Sequence, residues 1–430
     1  MSASTLKARR DAVLGAGTPL FYDEPVTIVR GRGVELWDDA GRRYVDMYNN
    51  VPCVGHAHPR VVAAMQAQAG TLNVHSRYLH EGIVDYAERL VAKHHDGIEA
   101  VVFTCTGTEA NEVALMMARA ATGGRGIICT DAAYHGNSAE VGKLTRVDAG
   151  RNQSGAEVRS IPFPQRYRPL PGASSDAALT GLYLDRVQAA IDAFAADGVP
   201  FAGMLVCSIL ANEGLPDIPV DFMPRAAEMV RAAGGVFIAD EVQSGFCRTG
   251  TWWGYHRTGF APDIVSMGKP MGNGLPLAGA AASRAIVDAF RRDHRYFNTF
   301  ASSPLQAAVG AAVLDVLDDE ALADNAERVG ALLRDRLRAL QARYPRMGDV
   351  RGHGLFCGVE WVSDPDARTP DRDGAAWVVN RLKERGFLIS NAGALGNVLK
   401  IRPPLVFEAS HAEEFLGAFE AVLEEVHGAG

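Results

Sequence analysis

The sequence has no run of 18 apolar residues, no CxxC pair and no stripe of Lys and Arg. Each absence removes a class of protein. A helix that crosses a bilayer needs roughly 20 apolar residues, and the opening MSASTLKARRDAVLG has no apolar core of the kind a signal peptide carries. The expectation is a chain that is neither exported nor membrane-spanning. Cys53, Cys105, Cys129, Cys207, Cys247 and Cys357 are scattered, which suggests neither a zinc site nor a disulfide framework and fits a reducing cytoplasm. No metal site is expected. A formal charge of -8 and a pI near 5.9 leave nothing to neutralise nucleic-acid phosphates, so the partners are expected to be small molecules.

What is present is a large core. With 47% hydrophobic and 22% charged residues over 430 positions, the chain reads as globular, with a large domain and a smaller terminal one. Residues 1–56 read as an arm and a meander with β-like runs at Thr27–Arg30, Val34–Asp38 and Tyr44–Met47. Apolar residues recur at three and four over Pro59–Ala69 and Gly82–His94, the helical spacing. Short apolar runs follow at Ala100–Thr104, Gly126–Thr130, Ala202–Ile209, Gly235–Ala239 and Ile264–Met267, mostly separated by helical stretches. That alternation predicts an α/β fold with a mostly parallel sheet covered on both faces. Asp148–Ser175, rich in Gly, Pro, Ser and Arg, is expected to be a long functional loop. Helical patterns after Leu305, β-like runs at Gly354–Val362 and Val398–Ile401, and a closing helix over Ala409–Val426 predict an α+β C-terminal lobe. The expected division is therefore 1–56, 57–325 and 326–430.

The chemistry-bearing segments are FIADEVQSGFCRTG (237–250) and IVSMGKPMGNGLPLAG (264–279). Each apolar strand delivers a charged group, Asp240 or Lys269, at its carboxyl end, where open α/β sheets bind ligands. An isolated Asp-Glu is usually a helix cap and an isolated Gly-Lys-Pro a solvated turn. Together they match the pairing by which pyridoxal phosphate (PLP) enzymes set a nucleophilic lysine against an acid at the pyridine nitrogen. In CTGTEANEVALMMARA (105–120), Thr106, Gly107 and Thr108 stand where a strand turns into a helix. That is either a plain N-cap or an anion cradle, and beside a PLP lysine the cradle is the better reading. Tyr134 and His135 in AYHG can stack on a flat ring and add a polar edge, Thr299 lies in YFNTFASSP, and Arg402 in LKIRPPL follows an apolar strand. A guanidinium held there can clamp a carboxylate or a phosphate.

From about residue 20 to 425 the sequence resembles the class III (ornithine and ω-amino acid type) aminotransferases of PLP fold-type I. DMYNNVPCVGHAHPRVV, LNVHSRYLHEGIVDYAERL, GTEAN, AYHG, GGVFIADEVQSGF, SMGKPMGNG and YFNTF resemble in particular the ethanolamine-phosphate phospho-lyase branch. The resemblance implies that Lys269 carries the cofactor as a Schiff base and shuttles the proton, and that Asp240 bonds the pyridine nitrogen. It implies that Gln243 bonds the phenolic oxygen, Val242 packs under the ring, Gly107 and Thr108 hold the phosphate, and Tyr134 stacks opposite. Thr299 would reach the phosphate of a neighbouring subunit, which requires a homodimer or a dimer-based tetramer. Substrate contacts fall to Arg402, Asn50 and Tyr78, with walls from Tyr48–Val51, Ser76–Tyr78 and the loop holding Tyr167 and Arg168.

Three departures from the family pattern stand out: Cys105 before the cradle, TFASSP in place of TFGGNP, and CSILANEG. In the last, Cys207 or Ser208 stands near where many relatives have a Glu that neutralises the clamp arginine, and Glu213 comes later. The expected function is transamination between an amine or amino acid and an oxo-acid such as pyruvate. The alternative is elimination of phosphate from O-phosphoethanolamine or a related phospho-amine. A regulatory protein on the same fold would need a DNA-binding domain or lost catalytic residues, and this sequence has neither.

Overall fold

The computed structural model describes residues 3–147 and 155–428. The chain opens with a helix, Ala3–Leu14, and an antiparallel meander of β1 (Ile28–Arg32), β2 (Glu35–Asp38) and β3 (Arg43–Asp46). The central sheet contains β4 (Ala100–Thr104), β5 (Gly126–Thr130), β6 (Val158–Ile161), β7 (Phe201–Cys207), β8 (Val236–Asp240), β9 (Ile264–Met267) and β10 (Ala278–Ala282), in the order β4-β10-β9-β8-β7-β5-β6. All its neighbours pair in parallel except around β10, which is antiparallel to both β4 and β9. The α/β fold class expected from the sequence is thus the one observed. The C-terminal lobe is built on β11 (Met347–His353), β12 (Phe356–Asp364), β13 (Thr369–Pro370), β15 (Ser390–Ala392) and β16 (Val398–Ile401). Between them β14 (Phe387–Leu388) leaves that sheet and pairs in parallel with β3, tying the two ends of the chain into one lobe.

Two sequence expectations are corrected here. The stretch Asp148–Ser175 is not loop throughout: Val158–Ile161 forms the edge strand β6, with Val158 and Ile161 buried, while 148–154 lie outside the described residues. The AGAAA run of β10 escaped notice because alanine and glycine have low strand propensity. All five of its residues are buried, and small side chains there let the helix Gly107–Thr122 pack closely on the sheet. That helix, with β4, β5 and Phe290, encloses one core, while a larger one runs from Val45 through Phe103 and Val206 to Leu355 and Leu423. The helix Leu322–Gln341 is continuous across residue 325.

The C-terminal lobe meets the segment after β8 through stacked backbones. A Cβ on Gly330 would lie 1.9 Å from the Gly354 carbonyl oxygen, and one on Gly354, itself at φ +51°, would lie 2.6 Å from the Arg248 oxygen. Leu355 N-H donates to that Arg248 oxygen at 3.2 Å, and Arg334 Nη1 donates to Gly354 O at 2.6 Å. The contact admits no side chain. We therefore expect Gly330→Ala to cost about 1–3 kcal/mol through overpacking, read as a lowered Tm. Gly181→Ala, in the helix Asp176–Ala196 with nothing within 4 Å of its Cβ position, should leave Tm unchanged or raise it. Equal Tm values for the two variants would contradict this account of the lobe contact.

Candidate active site

The carboxyl ends of β8 and β9 and the N-terminus of the helix Gly107–Thr122 converge on a cavity of about 520 Å³ of atom-free space, part of it open to solvent. Asp240 ends β8 and is buried. Its Oδ2 lies 2.7 Å from His135 Nδ1 and accepts from Asn111 Nδ2 at 3.0 Å, and its Oδ1 accepts from Val242 N-H at 3.0 Å. Asn111 is fixed in turn, donating to His135 O at 2.7 Å and accepting from Ser266 Oγ at 2.5 Å. Lys269 stands two residues past β9 and lines the cavity. Burial, then the nearby Arg402, pushes its amine below the ordinary lysine value, the direction that frees a nucleophilic lone pair.

The 105–109 turn is an N-cap whose geometry leaves room for an anion. Thr106 caps the helix: its Oγ1 accepts from Glu109 N-H at 3.1 Å, while Glu109 Oε2 accepts from the N-H groups of Thr106 and Cys105 at 3.1 and 2.7 Å. The amides of Gly107 and Thr108 make no hydrogen bond among the described residues, and both residues line the cavity. First-turn amides of this kind are the donors an anion seeks. A Cβ on Gly107 would lie 2.9 Å from Val242 Cγ1, so only glycine lets the cradle and the Val242 side chain meet. Tyr134, 39% exposed, stands at the rim. A phosphate cradle, an apolar floor, an acceptor at one end and a depressed lysine are a donor set that fits PLP. Lys269, Asp240, Gly107 and Thr108 would hold it.

Other expected site residues are engaged differently. The Gln243 side chain is held by cations: Oε1 accepts from Lys400 Nζ at 3.0 Å and from Arg402 Nη1, and Nε2 donates to Asn212 Oδ1 at 3.1 Å. Since Lys and Arg can only donate, they fix which way this amide points. Arg402 is buried, its Nε donating to Tyr48 O at 3.0 Å and its guanidinium carbon 5.0 Å from the Tyr48 ring centre. Asn50 is not a free pocket group, because its amide bridges Gln243 O at 3.1 Å and Arg248 Nε at 2.9 Å. Tyr78, 64% exposed, stacks on His75, and Thr299 is exposed. Neither lines the cavity of the single chain, nor do Tyr167 and Arg168, the latter paired to Glu360 at 2.5 Å.

Sequence reasoning missed Asn111, Asn212 and Lys400. Lys400 had a usable signal: it lies on β16 two residues before Arg402, which follows the strand directly, and alternate residues of an extended chain share a face. The departures also find their places. Ser303 caps the helix Pro304–Asp319 in a capping box with Gln306. Cys207 lines the cavity, and Ser208 donates to the buried Glu241.

The family model for class III aminotransferases matches residues 21–423. The chain is 36% identical to a Drosophila melanogaster protein named alanine–glyoxylate aminotransferase 2-like, covering 98% of this chain and 87% of the relative. Among solved structures it is similar to a phospholyase from Arthrobacter in complex with phosphoethanolamine, at 41% identity and a TM-score of 0.94 over 97% of this chain and 99% of that one. It is also similar to a PLP-bound amine transaminase from an uncultivated Pseudomonas species, at 28% identity and a TM-score of 0.87 over 94% and 95% of the two chains. The chain therefore belongs to the class III aminotransferases, PLP-dependent enzymes of fold-type I.

Proposed function

We propose that this enzyme acts on a small amine that carries a phosphate, with O-phosphoethanolamine as the type substrate, and releases the phosphate by elimination. One observation carries the reading: Lys400 and Arg402 are both buried, converge on the neutral Gln243 carbonyl, and form no ion pair among the described residues. Burial, then Arg402 and Lys269, holds the Lys400 amine well below its ordinary value, and burial likewise lowers Arg402. Arg402, with Lys400 ready to take up a proton beside it, suits a phosphate monoester, which carries a charge of about -1.5 to -2 near neutrality. A carboxylate would satisfy only one. The similarity to the phosphoethanolamine-bound phospholyase supports the same substrate class.

PLP supplies, when bound, an electron sink for the carbon attached to the substrate nitrogen. Asp240, fixed by His135 and Asn111, presents the acceptor for the pyridine nitrogen. Lys269 takes the proton from the nitrogen-bearing carbon. Arg402 and Lys400 hold the phosphate on the neighbouring carbon and stabilise the charge that builds on it as the carbon-oxygen bond breaks. With one water, O-phosphoethanolamine then gives acetaldehyde, ammonia and inorganic phosphate, and the lysine proton returns to the product. Transamination, ranked first on sequence, stays as the second reading, supported by the aminotransferase name of the 36% identical relative.

The same reading extends to assembly and location. A shared-site homodimer is supported by the exposure of Thr299 and Tyr78 and by Phe300, 75% exposed beside Thr299. A reducing compartment such as the cytoplasm is supported by six free cysteines. Among the described residues no helix is long and apolar enough to cross a membrane.

The deciding assay gives the purified holoenzyme O-phosphoethanolamine with no oxo-acid. Phosphate and acetaldehyde should appear over many turnovers. Stoichiometric bleaching of the cofactor band that pyruvate reverses, without phosphate release, would place transamination first. Lys400→Gln should raise KM for the phospho-amine by roughly ten- to a hundredfold, the scale of a charge-assisted hydrogen bond, with a smaller change in kcat. In the wild type, phosphate binding should recharge Lys400, so affinity weakens as pH rises above the lowered lysine value. That slope should flatten in Lys400→Gln; parallel slopes would remove Lys400 from the anion site. For the shared site, mixing inactive Lys269→Ala and Thr299→Ala chains should recover activity in a fraction of heterodimers. An active monomer in sedimentation would rule the sharing out.

A further inference from the structure

Two buried polar atoms close to Asp240, His135 Nε2 and Glu213 Oε2, have no hydrogen-bond partner among the described residues. The other end of each group is fixed. His135 Nδ1 lies 2.7 Å from Asp240 Oδ2, and Thr130 Oγ1 donates to Glu213 Oε1 at 2.6 Å. A ring nitrogen facing a carboxylate carries the proton, which leaves a lone pair on Nε2. Because Oε1 accepts from a hydroxyl, Oε2 is the oxygen that bears the hydrogen when the carboxyl is neutral. Burial pushes the Glu213 carboxyl up, against the opposing effects of Thr130, His135 and Lys400. The two groups rise from adjacent strands, His135 from the loop after β5 and Glu213 from the loop after β7, and each lies within electrostatic reach of the other. A lone pair and a carboxyl hydrogen, both shut away from solvent, are complementary, and leaving both unpaired is costly.

We propose that Glu213 is a positioning residue for Asp240 that acts through His135: its carboxyl donates to Nε2 across one bridging water and so fixes the tautomer that aims Nδ1-H at Asp240. Such a bridge between buried polar groups is an ordinary structural element of protein interiors. Mobile protonation at Glu213 then tunes how firmly the His135 proton is held against Asp240. The other titratable groups facing Glu213 are Lys400 and the thiols of Cys207 and Cys129. Both thiols are pushed up to about 12 by burial and so stay uncharged near pH 7. The consequence for cofactor binding rests on the PLP reading, whereas the state of the His135 ring is a property of the chain itself.

The test follows the ring ¹⁵N resonances of His135 against pH in the full-length protein as purified, labelled at histidine and assigned with His135→Gln. In the wild type the ring should hold the Nδ1-H tautomer at neutral pH, with an Nε2 shift that moves as Glu213 ionises. Glu213→Gln keeps a donor but cannot ionise, so its curve should be flat at the neutral-pH position. Glu213→Ala should mix the tautomers and weaken cofactor retention in equilibrium dialysis by about tenfold, against a change of at most about threefold in Glu213→Gln. Superimposable His135 curves for wild type and Glu213→Gln would overturn the proposal, even if Glu213→Ala fails to fold. A protein that retains no PLP would refute the functional reading and leave the His135 measurement intact.

Discussion

A carboxylate taken out of water at the end of a strand must be given donors, and the arrangement around Asp240 follows from that need. Three donors meet it: the His135 ring, the Asn111 amide and the Val242 backbone. Each comes from a different part of the chain, so satisfying one side chain fixes the loop after β5, the helix Gly107–Thr122 and the turn after β8 relative to one another. Ser266 on β9 adds a fourth element by donating to Asn111. The lysine two residues past β9 is therefore placed against the acid by the same network. The cradle amides of Gly107 and Thr108 belong to the first turn of the helix that supplies Asn111, one turn further along.

Behind Gln243, set back from the residues that line the cavity, the charge is reversed and the solution weaker. Lys400, Arg402 and Arg248 are all buried, and what they receive are carbonyl oxygens and neutral amides: Ala211 O, Tyr48 O, Gln243 Oε1 and Asn50 Oδ1. Burial brings Arg248 down to about 9. Neutral acceptors only partly offset the desolvation of a cation. Glu213, a carboxyl within electrostatic reach of Lys400, is held instead by Thr130. That choice of partner leaves Arg402 without a carboxylate partner among the described residues.

The sequence carried the sheet well. Ala100–Thr104, Gly126–Thr130 and Ile264–Met267 have the bounds expected from their apolar runs, because strands buried on both faces leave little ambiguity in a hydrophobic pattern. The AGAAA strand and the edge strand Val158–Ile161 were not legible, the first because its residues have low strand propensity, the second because it lies in a Gly- and Pro-rich stretch. At the site, the Asn50 amide, expected from the family resemblance among the substrate contacts, bridges Gln243 and Arg248. Its side-chain direction depends on residues 193 and 198 positions away, which no local pattern encodes.

By itself the sequence determined the chemistry: a lysine and an acid at the ends of apolar strands, and a threonine-glycine-threonine turn at the head of a helix, because strand ends and helix starts are local features that expose those groups in a fixed way. Tertiary structure alone decided which polar groups were left for a ligand. Gln243 lines the cavity with its amide fixed by Lys400 and Arg402, Thr106 serves as a cap while its neighbours stay free, and Lys400 joins Arg402 without a counter-charge among the described residues. Whether a buried polar atom is already paired depends on what the rest of the chain brings within about 3 Å of it, and that is settled only when distant segments pack.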